Sequence, residues 1–194
     1  MNIIIVGAGE VGRHLAESLS REAHSIVVIE ENAALAHELE QSLDAKVIHG
    51  DGTSISVLLD ADVGSSDLFL ALTSDNSVNM MVASMASKLE AGRVVCRVHP
   101  GLQREEWLFD YRGHFGIDHI FSSERLSAME LAKFIRNPDS LVVEEIARGK
   151  IELQQVRICD SSDAVGKMLM KLKAPERTRV AAITRGGEHF VPNA

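Results

Sequence analysis

The sequence predicts an α/β protein in which a doubly wound parallel sheet is followed by a small, incomplete α+β domain. Three observations carry this prediction. The run Ile3-Ile4-Ile5-Val6 leads straight into Gly7-Ala8-Gly9-Glu10-Val11-Gly12. A second run, Ile26-Val27-Val28-Ile29, ends in Glu30. Short apolar runs then alternate with helix-length segments through residue 120. Continuous apolar strands are those of a parallel sheet covered on both faces. Strand, glycine turn, helix, strand and acidic residue, in that order, make a Rossmann-type unit.

In chain order, strands are expected at 2–6, 26–30, 46–49, 67–72, 93–98 and 118–121. Helices are expected at 11–22, 32–43, 54–60, 76–90 and 102–111. Asp67-Leu68-Phe69-Leu70-Ala71-Leu72 reads as a central strand, and Val78, Met81, Val82, Met85 and Leu89 form the stripe expected to face the sheet. Ser122-Ser123 caps a helix from Glu124 to Arg136 that Asn137-Pro138 stops. That helix is apolar around more than half its circumference, which suits either the sheet edge or a partner subunit. Beyond it, Leu141–Ile146 and Ile151–Ile158 flank a hairpin signal at Ala147-Arg148-Gly149-Lys150. A helix at 164–173, a strand at 178–184 and a turn at Arg185-Gly186-Gly187-Glu188 follow. The expected boundaries are 1–121 for the nucleotide-binding domain, 122–138 for a crossover helix and linker, and 139–194 for the start of the second domain. So small a second sheet is either incomplete or completed by a partner.

Bulk composition excludes several classes. The chain has 194 residues and is 45% hydrophobic, enough for a real core, and no apolar run approaches the length of a membrane span. The start of the chain lacks the basic and long apolar regions of a signal peptide. A net charge of -8, concentrated before residue 139, argues against nonspecific nucleic-acid binding. Cys96 and Cys159 both lie in apolar runs and read as core thiols of a reducing cytoplasm.

Gly7 permits the tight turn, Gly9 admits a pyrophosphate to the backbone, and Gly12 lets the helix lie on the strand. Ala8, Glu10 and Val11 complete the loop, whose N–H groups face the phosphates. Glu30 accepts both hydroxyls of an adenosine ribose, and with Glu31 it disfavours a 2′-phosphate. ATP and ADP share that ribose edge with NAD, so the fingerprint leaves them open. Arg13 contacts a phosphate or pairs with Glu17. Asp51, with Gly52 and Thr53, bonds adenine or shapes the turn after the third strand. Thr73 and Asp75 end the fourth strand, Asp75 being equally a helix cap, and Arg97 ends the fifth.

Reaction chemistry is what the sequence lacks. The one tyrosine, Tyr111, has Phe115 rather than lysine four residues on, the eight histidines form neither HxH nor HExxH, and no GKS or GKT follows the glycines. No catalytic or metal-binding residue is assigned; His99 and His114 read as surface or packed side chains rather than bases. A dinucleotide site with no evident reaction centre points to a sensor, with an NAD-dependent oxidoreductase as the alternative.

The glycine turn and Glu30, His49-Gly50-Asp51-Gly52-Thr53, Ala71-Leu72-Thr73-Ser74-Asp75-Asn76-Ser77-Val78-Asn79 and Val94-Val95-Cys96-Arg97-Val98 together resemble the TrkA/Ktr family. Its members are cytoplasmic regulators of potassium uptake built from RCK domains. Thr178–Arg185 and Phe190–Asn193 look like the middle of the family's C-terminal domain. The resemblance implies a homodimer assembling into a higher-order ring beneath a membrane potassium transporter of TrkH/KtrB type, and therefore a peripheral place on the inner membrane face. It implies NAD or NADH, or ATP and ADP, as ligand, and Ala8 matches the NAD-type members. By motif, Gly7, Gly9, Gly12 and Arg13 would hold phosphates, Glu30 the ribose, and Asp51 and Thr53 would flank the adenosine. Thr73 and Asp75 would line the crevice, and Arg97 would approach the phosphates or a neighbouring subunit. Such C-terminal domains usually continue past Pro192-Asn193, so a fragment or a shorter member is expected.

Overall fold

The computed structural model describes residues 1–136, 140–146, 150–172 and 175–192, with the side chains of 140–143 and 145 left out. It divides into two units, Met1–Ala132 and Lys133–Ala194.

The first unit is built on six parallel strands: β1 Asn2–Val6, β2 Ser25–Glu30, β3 Lys46–His49, β4 Leu68–Ala71, β5 Val94–Arg97 and β6 His119–Phe121. They lie side by side in the order β3-β2-β1-β4-β5-β6. Each matches its expected range to within one residue at either end. Period-two alternation sends Ile4 and Val6 to one face, with Phe69, Ala71 and Cys96, while Ile3 and Ile5 join Val28 and Leu70 on the other. Helices α1 (Glu10–Ser20) and α2 (Ala33–Ser42) cover that second face, and α3 (Ile55–Asp60) and α4 (Asn76–Lys88) cover the first. Strand order reverses between β1 and β4, where a doubly wound sheet opens its ligand crevice.

Local chemistry fixes the helix ends. Asn32 caps α2 by accepting the Ala34 and Leu35 N–H groups at 3.0 Å, and Asp75 caps α4 by accepting from Val78 at 2.9 Å. The buried face of α4 is Asn79, Met80, Val82, Ala83 and Ala86, whereas Met81 of the expected stripe is half exposed. Alanines at 83 and 86 let the helix approach the sheet closely, which turns the face toward the smaller residues.

The helix expected at 102–111 is two short ones, α5 (Pro100–Arg104) and α6 (Tyr111–Phe115). Trp107, Leu108 and Phe109 between them are exposed, so no apolar stripe binds a continuous helix to the sheet. Asp110 instead caps α6 through the Gly113 N–H. After β6, Ser122 accepts the Arg125 N–H at 3.3 Å and starts α7 (Ser123–Arg136). No residue of α7 is buried, and Leu126, Leu131, Phe134 and Ile135 are all more than half exposed. The stop expected at Asn137-Pro138 lies outside the described residues.

Among its described residues the second unit holds two antiparallel pairs, β7 (Ser140–Ile146) with β8 (Ile151–Val156), and β9 (Ile183–Arg185) with β10 (Glu188–Phe190). The turn residues 147–149 of the expected hairpin, and Asn193, lie outside the described residues. Instead of a helix at 164–173 there is one 3₁₀ turn at Leu169–Lys171; Gly166 sits at φ +72°, and Val165, Met168 and Met170 are exposed. Residue 173 lies outside the described residues. The strand expected at 178–184 is confined to the three residues that pair with β10. Cys159 is exposed, contrary to the expectation of two core thiols, because the run around it meets no core.

Candidate functional site

The crevice at the C-terminal ends of β1 and β4 is formed by the glycine turn. Gly7 takes φ +91°, and a Cβ there would stand 2.8 Å from the Thr73 backbone nitrogen. A Cβ on Gly12 would clash with the Gly7 carbonyl oxygen. These two glycines let the turn fold between α1 and the end of β4. Gly9 differs: a Cβ there would meet nothing within 4 Å.

Gly9 is also the N-cap of α1 and brings no side-chain cap to the first turn of that helix. Glu10 and Val11 belong to that turn, and Gly12 is buried within it. The site therefore presents uncapped N–H groups at a helix N-terminus beside open space. That pairing holds an anion through direct bonds and the helix dipole. Ala8 is buried, and its N–H donates to Glu30 Oε2 at 2.7 Å. Glu30 Oε1 accepts the Asn32 N–H at 2.9 Å. Each carboxylate oxygen keeps a second lone pair, so Glu30 can still accept ligand hydroxyls.

The loop after β3 comes to the same end of the sheet. A Cβ on Gly52 would stand 2.5 Å from Val6 Cγ1, so this loop packs on the end of β1. Asp51 Oδ1 accepts the Thr53 N–H at 2.8 Å and its hydroxyl at 2.7 Å, and these bonds hold the Asp51 carboxyl below its ordinary pKa. Of the two readings of Asp51, the turn-shaping one is present here.

Three predicted residues bond elsewhere. Arg13 pairs with Glu17 at 3.1 Å and with Glu38 of α2 at 2.7 Å, and its own pKa is raised, most by the bond to Glu38. The Asp75 carboxylate is committed to its cap, and the Val78 N–H bond lowers its pKa. Arg97 donates to Glu124 Oε1 at 3.2 Å, at the start of α7. Glu124 also accepts from the Ser122 hydroxyl at 2.8 Å, and its pKa falls to about 2, with its own backbone N–H the largest cause.

An apolar groove of about 490 Å³ runs along α4, lined by Met80, Met81, Met85, Leu102, Tyr111 and Phe115 among others. It contains none of the predicted site residues. Among the described residues no group of three or more His, Cys, Asp or Glu could hold a metal ion, and no helix is long and apolar enough to cross a membrane.

With this geometry in view, a family model decides the affiliation: the TrkA-N domain matches residues 3–123. The chain belongs to the TrkA-N domain family. Its TrkA-N region carries every predicted site residue, from Gly7 to Arg97. The chain is 32% identical over 193 residues to a Trk system potassium uptake protein TrkA homolog of Archaeoglobus fulgidus, covering 99% of this chain and 43% of that one. It is 29% identical over 192 residues to a TrkA homolog of Methanothermobacter thermautotrophicus, covering 99% and 86%. The chain thus spans less than half the length of the first relative and most of the second.

Among solved structures, the TrkA-N domain of the inner membrane protein ybaL from Escherichia coli matches with a TM-score of 0.60 at 18% identity, over 69% of this chain and 96% of that one. The GsuK channel bound to NAD matches with a TM-score of 0.52 at 22% identity, over 61% and 21%. GsuK bound to ADP matches with a TM-score of 0.57 at 22% identity, over 71% and 34%. At these identities the likeness is one of fold.

Within the TrkA-N region, sequence reading gave no role to Asn79. It is 1% exposed. Its Oδ1 accepts the Thr73 N–H at 2.8 Å and the Thr73 hydroxyl at 2.7 Å, while its Nδ2 donates to the Thr73 carbonyl at 2.9 Å and the Arg97 carbonyl at 3.0 Å. The available signal was an amide at a position that helical spacing shares with Val82, Ala83 and Ala86.

Proposed function

We propose that this chain binds an adenosine nucleotide, NAD(H) or ATP/ADP, at the glycine turn and reports its presence to a membrane potassium transporter. The reading rests on one observation: the uncapped N-terminus of α1 opens onto empty space at Gly9, with Glu30 alongside at the β1–β4 switch point. In this reading the N–H groups from Gly9 to Gly12 hold phosphate oxygens and Glu30 accepts the ribose hydroxyls. Gly7 and Thr73 form the floor, and the Asp51-Gly52-Thr53 loop flanks the adenosine. Residues 1–121 are the binding domain, 122–138 the crossover and 139–194 the start of a C-terminal domain.

Support for a regulator comes from relatives named Trk system potassium uptake protein TrkA or its homolog, and for the ligand class from GsuK, which shares this fold over part of its chain and was solved bound to NAD and bound to ADP. Arg13 has no place in the phosphate site in this reading, because two carboxylates hold it. The exposed apolar side chains of α7 supply a surface for a second copy, the first step toward a ring under the transporter.

The test is to incubate the protein with NADH and follow nicotinamide absorbance while light scattering records mass. A regulator leaves the nucleotide unchanged and responds in assembly. Steady consumption of NADH with a small carbonyl compound would establish an oxidoreductase instead.

A further inference from the structure

The bonds of Asn79 join two places that the nucleotide reading treats separately. Gly7 lies against the Thr73 backbone, so any movement of the glycine turn is felt at Thr73. Thr73 is held by three bonds to the Asn79 amide, and the fourth bond of that amide holds the Arg97 carbonyl. The Arg97 guanidinium pairs with Glu124, which accepts the hydroxyl of Ser122, the cap of α7. A buried amide with all four bonding positions occupied cannot follow one neighbour without straining the other.

We propose that Asn79 is a positioning residue that couples occupancy of the glycine-turn crevice to the first turn of α7, through Arg97 and Glu124. The proposal rests on the nucleotide reading. It adds a route and a readout: nucleotide changes the stability of the α7 cap, at Arg125 and Leu126, although neither residue is near the glycine turn in sequence.

Two substitutions cut the route at different points. Asn79→Asp keeps the acceptor for the Thr73 N–H and hydroxyl and removes the donors that reach the Thr73 and Arg97 carbonyls. Glu124→Ala removes the partner of Arg97 at a surface position outside the nucleotide site, so its fold and its nucleotide affinity are retained. Hydrogen exchange is measured on the full chain with and without NAD, and with and without ADP, each at a concentration that saturates the variant. In the wild type, nucleotide slows exchange across 122–130 by about fivefold or more, the lower end of ordinary coupling. In both variants that nucleotide-dependent change is lost.

A merely structural Asn79 would lower the melting temperature and leave the nucleotide-dependent change intact, which overturns the proposal. So does retention of the change in Glu124→Ala, which decides alone if Asn79→Asp does not fold. Binding by the wild type without any change at 122–130 overturns the coupling and leaves the nucleotide reading standing. Failure of both NAD and ADP to bind overturns the nucleotide reading and the coupling with it.

Discussion

Glu30 Oε2 accepts the Ala8 N–H at 2.7 Å, tying the end of β2 to the middle of the glycine turn. The same carboxylate accepts the N–H of Asn32, the cap of α2. Glu30 therefore has a structural duty before any ligand arrives, which the acidic residue of the fingerprint does not disclose. Glu30→Ala leaves the buried Ala8 N–H unpaired and is expected to cost about 1–3 kcal/mol of stability. It should weaken adenosine nucleotides by about 1–3 kcal/mol through loss of charge-assisted bonds. Urea denaturation and calorimetric titration separate the two effects; unchanged affinity would remove Glu30 from the site.

Gly9 and Gly12 should respond differently to the same substitution. Gly12→Ala puts a methyl group against the Gly7 carbonyl and is expected to cost about 1–3 kcal/mol in chemical denaturation. Gly9→Ala meets nothing in the protein, and φ -59° suits any residue. Its stability should change by less than about 1 kcal/mol, while its nucleotide affinity falls by about tenfold or more as the methyl group enters the phosphate space. Equal loss of stability in both variants would contradict the packing account.

Glu124 makes the start of α7 sensitive to acid. Its pKa is depressed from 4.5 to about 2, so its stabilising contribution is fully present above 4.5 and is lost as pH falls through about 2. The wild type should melt above Glu124→Ala at neutral pH, and the gap should narrow from about pH 4.5 downward. Thermal melts across that range check the sign, and a gap that widens in acid would contradict it.

The two thiols should separate cleanly. Burial pushes Cys96 up to about 12, whereas Cys159 is exposed. A thiol reagent at neutral pH should label Cys159 in the native protein and reach Cys96 only after unfolding. Mass mapping of the labelled peptides decides it.

The sheet was legible because its central strands are short apolar runs ended by glycine or polar residues, as expected where helices cover both faces of a parallel sheet. Asn32 and Asp75 announce their helices by the same local logic. The segment 100–115 misleads because Trp107, Leu108 and Phe109 are apolar enough to suggest a packed helix face yet stay in solvent. Beyond Arg136 none of the described residues is buried, so there is no core to hold the expected strand at 178–184, and only Ile183–Arg185 is strand. At the site, the turn and Glu30 could be read from spacing. The orientation of Arg13 toward Glu38 and the bond from Asn79 to the Arg97 carbonyl could not, since both depend on packing between separate elements of the fold.

Isothermal titration of the full chain with NAD, NADH, ATP and ADP tests the central claim most directly. At least one of the four is expected to bind saturably and to be recovered chemically unchanged. No measurable binding of any of them would contradict the account.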